Sequence, residues 1–139
     1  MKPFWNLLKL LLPLFLLSAC DIGDDEVSYH FVSLTTVAVD MPEEFTLNET
    51  YEIGVTVLEP NGCTEFAGFD ILPEDTTIRR VVAIGTEQDD VPCTEILSEV
   101  ATSFDFICLY PGTYVFRFWT GKNEQGVDQF MEFEVPVVP

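Results

Sequence analysis

Apolar side chains recur at every second position in seven separate runs of this chain, and that period most narrows what it can fold into. Tyr51, Ile53, Val55 and Val57 share one face of an extended segment, with Glu52, Gly54 and Thr56 on the other. Glu59, Pro60, Asn61 and Gly62 then supply a turn. Similar runs occupy residues 29–39, 63–71, 77–86, 95–107, 112–120 and 127–138. Seven strands divided by turn signals predict an all-β sandwich. Beyond the first segment no window holds a helical period, although residues 94–101 could open as a short helix. With 47% apolar and 13% aromatic residues the chain can bury a core, which excludes a disordered acidic tail.

The last two strands predict a register. If residues 121–126 form the hairpin loop, Phe118 faces Gln129, Phe116 faces Met131 and Tyr114 faces Phe133, so both strands turn their apolar side chains one way. The other face then carries Val115, Arg117 and Trp119 beside Asp128, Phe130 and Glu132. Arg117 lies opposite Phe130, within cation–π reach, and Glu132 is diagonal to it. Trp119, Arg117 and Phe130 form the candidate binding patch, and simple pairing across the strands is the competing role for them. Pro136 has no amide donor, which places the final strand at a sheet edge.

Asp and Glu number 24 against six Lys and Arg, a net charge of −18. Such a chain repels phosphate backbones, and no basic stripe offsets the repulsion, so nucleic acid is excluded as a partner.

Lys2 and Lys9 precede an apolar run over residues 10–17, and Ser18 and Ala19 follow it just before Cys20. This is the layout of a signal peptide. As a helix, residues 7–19 would reach about 20 Å, too short for roughly 30 Å of hydrocarbon. Leu17, Ser18, Ala19 and Cys20 resemble the lipobox of bacterial lipoproteins. The resemblance implies that residues 1–19 are cut away and that Cys20 is lipidated and anchors the chain to a membrane. An acidic tether over residues 20–26 and a domain over residues 27–139 would follow. The run Asp24, Asp25 and Glu26 resembles the surface-export signal of Bacteroidota lipoproteins, whereas Asp21 directly after the cysteine resembles the inner-membrane retention signal of enterobacteria. The cluster of three acids favours the first, and with it a surface-exposed outer-membrane protein; a periplasm-facing one is the alternative.

Pro111, Gly112, Thr113 and Tyr114, followed by Phe116, Phe118 and Trp119, are similar to the turn and strand of many immunoglobulin-like domains. Residues 50–138 as a whole resemble uncharacterised single-domain lipoproteins of Bacteroidota. That resemblance implies an immunoglobulin-like sandwich of about seven strands and an envelope location, and it transfers no activity.

Cys63, Cys93 and Cys108 remain for a compartment in which disulfides persist. Cys63 follows an Asn-Gly turn and Cys93 follows a proline, both at strand ends, so a bond between them is expected, with other pairings or free thiols as alternatives. Cys108 continues the alternation of Phe104 and Phe106 and reads as a small buried apolar group. A zinc site of three cysteines and His30 lacks any close-spaced ligand pair. The loops at residues 73–75 and 87–90 are rich in carboxylates but do not follow a calcium-loop pattern. No serine-hydrolase elbow or zinc-protease helix occurs. We therefore expect no catalytic residue, no metal and no cofactor.

The expected function is that of a non-catalytic binding or accessory lipoprotein, with the membrane and a protein or glycan at the cell surface as partners. A small proteinase inhibitor, suggested by residues 111–121, and a hydrolase using a carboxylate pair are the alternatives. An exposed loop with an extended apolar tip would favour the inhibitor; two close carboxylates with raised pKa in a cleft would favour the hydrolase.

Overall fold

Each of the seven alternating runs is a strand. The computed structural model describes residue 23 and residues 26–139; Cys20, the signal segment and most of the tether lie outside the described residues. The strands are β1 (Tyr29–Asp40), β2 (Phe45–Thr46), β3 (Thr50–Glu59), β4 (Thr64–Pro73), β5 (Ile78–Gln88), β6 (Ser98–Ile107), β7 (Thr113–Lys122) and β8 (Asp128–Val138). The domain is an all-β sandwich. Its additional strand, β2, is two residues long and pairs Phe45 with Val137 of β8 in parallel. The helical opening expected at residues 94–101 is absent: residues 94–97 have no regular structure and β6 begins at Ser98. Partners explain this, because β6 pairs with β3 over its whole length and tertiary pairing overrides a weak local preference.

The sheet runs in the order β2-β8-β7-β5-β1-β3-β6, with β4 on the other edge of β5. Curling occurs at β1. Its first half pairs with β5 and its second half with β3, and the register shifts between Thr36 and Ala38 where it changes partner. A bulge bends and twists a strand, so it lets one strand serve both layers. β7 then lies parallel to the first part of β5, on the edge that β1 has left.

Between the layers lie Leu34, Phe45, Ile53, Val55, Val57, Val81, Ala83, Tyr114, Phe116, Phe118 and Val135, all buried. These are the inward positions that alternation selects. Phe45 centres an aromatic cluster, 4.9 Å from Tyr51 and 5.1 Å from Phe106 between ring centroids. Tilted and edge-on pairs of this kind add about 0.5–1.5 kcal/mol each beyond their burial.

The final hairpin corrects the expected register. Phe118 pairs with Met131, Phe116 with Phe133 and Tyr114 with Val135, two residues from the expected partners. The loop lies further along the chain than expected, since Lys122 still pairs with Asp128 and Asn123 closes the turn by accepting from Gln125 and Val127. A bulge between Trp119 and Gly121 returns one residue of that offset. Gly121 has φ 114°, a conformation that glycine alone adopts without strain. The net shift is even, so every side chain keeps its expected face.

Candidate functional site

On the outward face of β7 and β8 the structure brings Trp119, Arg117 and Phe130 together. Trp119 pairs across the strands with Phe130, and Arg117 pairs with Glu132, not with Phe130 as expected. The two-residue register shift is the reason. Arg117 still lies over the Phe130 ring, its Cζ 4.3 Å from the centroid, now from the diagonal position. Its Nε donates to Glu132 Oε1 and its Nη1 to Glu74 Oε2, each at 2.9 Å. The Glu74 and Glu132 carboxylates hold the guanidinium pKa above its ordinary value. Trp119 Nε1 donates to Asp128 Oδ1 at 2.9 Å, and Lys122 Nζ lies 3.0 Å from the same oxygen. The Trp119 and Lys122 donors hold Asp128 below the usual carboxylate range. The patch is half-buried, and its polar groups find partners within it.

A second cluster gathers where β1, β4 and β5 meet. His30 Nδ1 lies 2.7 Å from Asp89 Oδ1, and the Ser28 hydroxyl donates to Asp89 Oδ2 at 2.9 Å. Glu87 accepts from Asn61 at 3.0 Å and from Thr64 at 2.8 Å. Those bonds to the ionised forms lower the pKa of both acids: Asn61 and then Thr64 for Glu87, Ser28 and then His30 for Asp89. The three cysteines cannot join His30 as thiolate ligands, since Cys63 and Cys93 bond to each other and Cys108 is buried. Burial pushes the Cys108 thiol pKa up, and a neutral thiol is a poor metal ligand. Among the described residues no group of three or more His, Cys, Asp or Glu is placed to hold a metal.

The expected disulfide is present, with Cα atoms 5.4 Å apart. It ties the turn after β3 to the segment between β5 and β6. Gly62 N donates to Thr94 O at 2.9 Å beside it. A Cβ at Gly62 would meet the Thr94 hydroxyl, so a larger residue here requires the Thr94 side chain to rotate away. A pocket of about 230 Å³ adjoins the bond, lined by Val27, Tyr29, Gly62, Cys63, Glu65, Thr86 and Gln88.

Sequence reasoning missed the exposed apolar side chains at the two ends of β6. Val91, Ile96 and Leu97 precede β6, and Ile107, Leu109 and Tyr110 end or follow it. These are six of the thirteen large hydrophobic residues that the described chain leaves exposed, with Ile96 65% and Leu97 64% accessible. Their signal was present as the adjacent apolar pairs Ile96-Leu97 and Leu109-Tyr110, which an alternating strand cannot bury on one face. No protein-family model, no curated protein and no solved structure matches this chain.

Proposed function

We propose that the protein is a non-catalytic binding module held to a bacterial outer membrane by lipid on Cys20, and that its partner is a protein. The observation that carries binding is the exposed apolar side chains at the two ends of β6, Val91, Ile96 and Leu97 before it and Ile107, Leu109 and Tyr110 at and beyond its far end, since gathered exposed apolar side chains mark interaction sites. The lipobox supports the anchor. Several acyl chains, each methylene contributing about 0.8 kcal/mol, give lasting attachment.

One feature favours a proteinase inhibitor as a second reading. The segment at residues 89–97 is tied by its disulfide and shows Val91, Ile96 and Leu97 to solvent, and an exposed apolar loop supports that reading.

Photo-cross-linking in cells tests the proposal, with a photoreactive residue at Leu97 or, as control, at Glu124 in the distant hairpin loop. A discrete protein adduct from the first position alone is expected, in the membrane fraction, on a chain whose intact mass begins at acylated Cys20. Equal labelling from both positions refutes the surface, and an unacylated soluble chain refutes the anchor. The patch on β7 and β8 is judged in the same cells: if it binds, Trp119→Ala abolishes the adduct without lowering the melting temperature.

A further inference from the structure

We propose that the free edge of β6 takes up an extended segment of a partner protein as an added antiparallel strand, one whose side chains alternate between apolar and Lys or Arg. This rests on the binding reading above and specifies its geometry.

Among the described residues β6 pairs with β3 alone, through ten consecutive positions from Thr50↔Ile107 to Glu59↔Ser98, without a register shift. Cys108 N donates to Glu49 O at 3.0 Å, one of the two bonds of a hydrogen-bonded pair and enough to set the phase of the ladder, while Glu49 N turns to Thr46 O. Such pairs alternate along an antiparallel ladder. The N–H and C=O groups of Glu99, Ala101, Ser103, Asp105 and Ile107 therefore point away from β3, into the open edge. Proteins blunt long edges with proline, lysine, bulges or covering segments. Other edges here carry such devices: β4 has a shift between Phe66 and Gly68 and ends at Pro73, and β8 has Pro136 and the short β2. Ser98–Ile107 contains no proline, no lysine and no register shift, and its only charges are the acids Glu99 and Asp105.

The core is incompletely closed along the same line. Val100, Thr102, Phe104 and Phe106 face inward yet stay half-buried, while Ile53, Val55 and Val57 beside them on β3 are sealed. An added strand would lay its own inward side chains over these four. Exposed Ile96 and Leu97 at one end of β6, and Ile107, Leu109 and Tyr110 at the other, extend the apolar seat.

Charge identifies the other face of the occupant. Asp105 lies directly opposite Glu52 on the outer face, an unfavourable pairing of like charges, and Glu99 lies further along the same face. All four cations of the described chain belong to β5 and β7: Arg79, Arg80, Arg117 and Lys122. None sits on β3 or β6 to answer these acids. A lysine or arginine on the added strand beside Asp105 would do so. A second copy of this acidic chain would instead bring more carboxylates to the edge.

The test uses the whole protein and a ten-residue synthetic peptide of alternating valine and lysine. Binding should slow amide exchange at Ala101, Ser103 and Asp105 by tenfold or more, while Thr102 and Phe104, already bonded to β3, change little. A valine and glutamate peptide should bind at least tenfold more weakly, and alternate N-methylation of the basic peptide should abolish binding. Ser103→Pro removes only an outward N–H, so it should retain the fold, judged by melting, and lose the peptide. Asp105→Asn is the gentler variant, expected to weaken the basic peptide by several fold. Equal binding by Ser103→Pro, by a peptide with its lysines in one block, or without protection at the three amides would overturn the proposal. Protection of those amides in peptide-free dimers would overturn it in favour of a second copy. If the peptides fail while Leu97 still cross-links to a protein, strand addition falls and the binding reading stands.

Discussion

Removing the link between Cys63 and Cys93 should lower the melting temperature by about 15 °C. The two cysteines are 30 residues apart in sequence. For a loop of that size the lost closure entropy is about 12 cal/mol/K, or about 3.7 kcal/mol at 25 °C. Unfolding a domain releases about 2.1 cal/mol/K per residue, so residues 27–139 give about 0.24 kcal/mol/K, and the ratio is the predicted shift. Circular dichroism melts would compare the native protein, the same protein under a thiol reductant, and the Cys63→Ser, Cys93→Ser double variant. Reduction isolates the covalent constraint, because Cys63 is only 8% exposed and a serine there also changes a buried contact. Cys108, buried and with its thiol pKa raised, should resist labelling until the protein unfolds and so should not scramble the pairing. A shift below about 4 °C in both perturbed samples, which corresponds to about 1 kcal/mol, would refute the reasoning. It would mean that the bond only clamps residues 89–97 locally, or that the reduced unfolded chain is already compact.

Thr36→Val should raise stability by about 1 kcal/mol or more in denaturant titration, because Thr36 is 2% exposed and its hydroxyl has no hydrogen-bond partner; a loss of stability would show that the hydroxyl is satisfied. Acid should erode the contribution of Asp128, whose pKa is lowered in the folded state by Trp119 and Lys122. A depressed carboxyl stabilises above its unfolded pKa of about 3.9 and loses that contribution as pH falls through the folded value. The melting difference between the native protein and Asp128→Asn should therefore be full at pH 7 and shrink below about pH 4, and a difference constant down to pH 3 would contradict the assignment.

Alternation made most of this fold legible, since burial imposes period two wherever a strand has one face on a core. It placed all seven long strands and the inward faces of β3, β7 and β8, and it read Cys108 as a buried apolar group. Register depends on loop geometry, which the pattern does not encode. The hairpin loop lay further along than Gly121 and Gly126 suggested, and a bulge at Gly121 absorbed part of the difference. An odd net shift would have turned Phe116 and Phe118 to solvent, so packing tolerated only an even one. Arg117 consequently met Glu132 directly and Phe130 diagonally, and the patch kept its members while its contacts were exchanged. β2 was invisible because two residues carry no period; it exists where Phe45 enters the aromatic cluster and brings its backbone beside Val137.

The apolar surface around β6 was harder to see for a reason that can be stated residue by residue. A search for alternation rewards segments that obey it and passes over those that break it. Cys108 buried requires Ile107 and Leu109 to face outward, because neighbours in an extended chain point to opposite sides. Placing one cysteine in the core thus commits two large side chains to solvent, and Tyr110 beyond them is 45% exposed. Before the strand Ile96 and Leu97 lie in a segment without regular structure, where no alternation turns one of them inward. The exposure of Ile107 and Leu109 follows from the register that buries Cys108. A chain that keeps such residues at both ends of an edge strand with no proline, lysine or bulge retains an aggregation hazard, and a partner strand that covers the edge removes it.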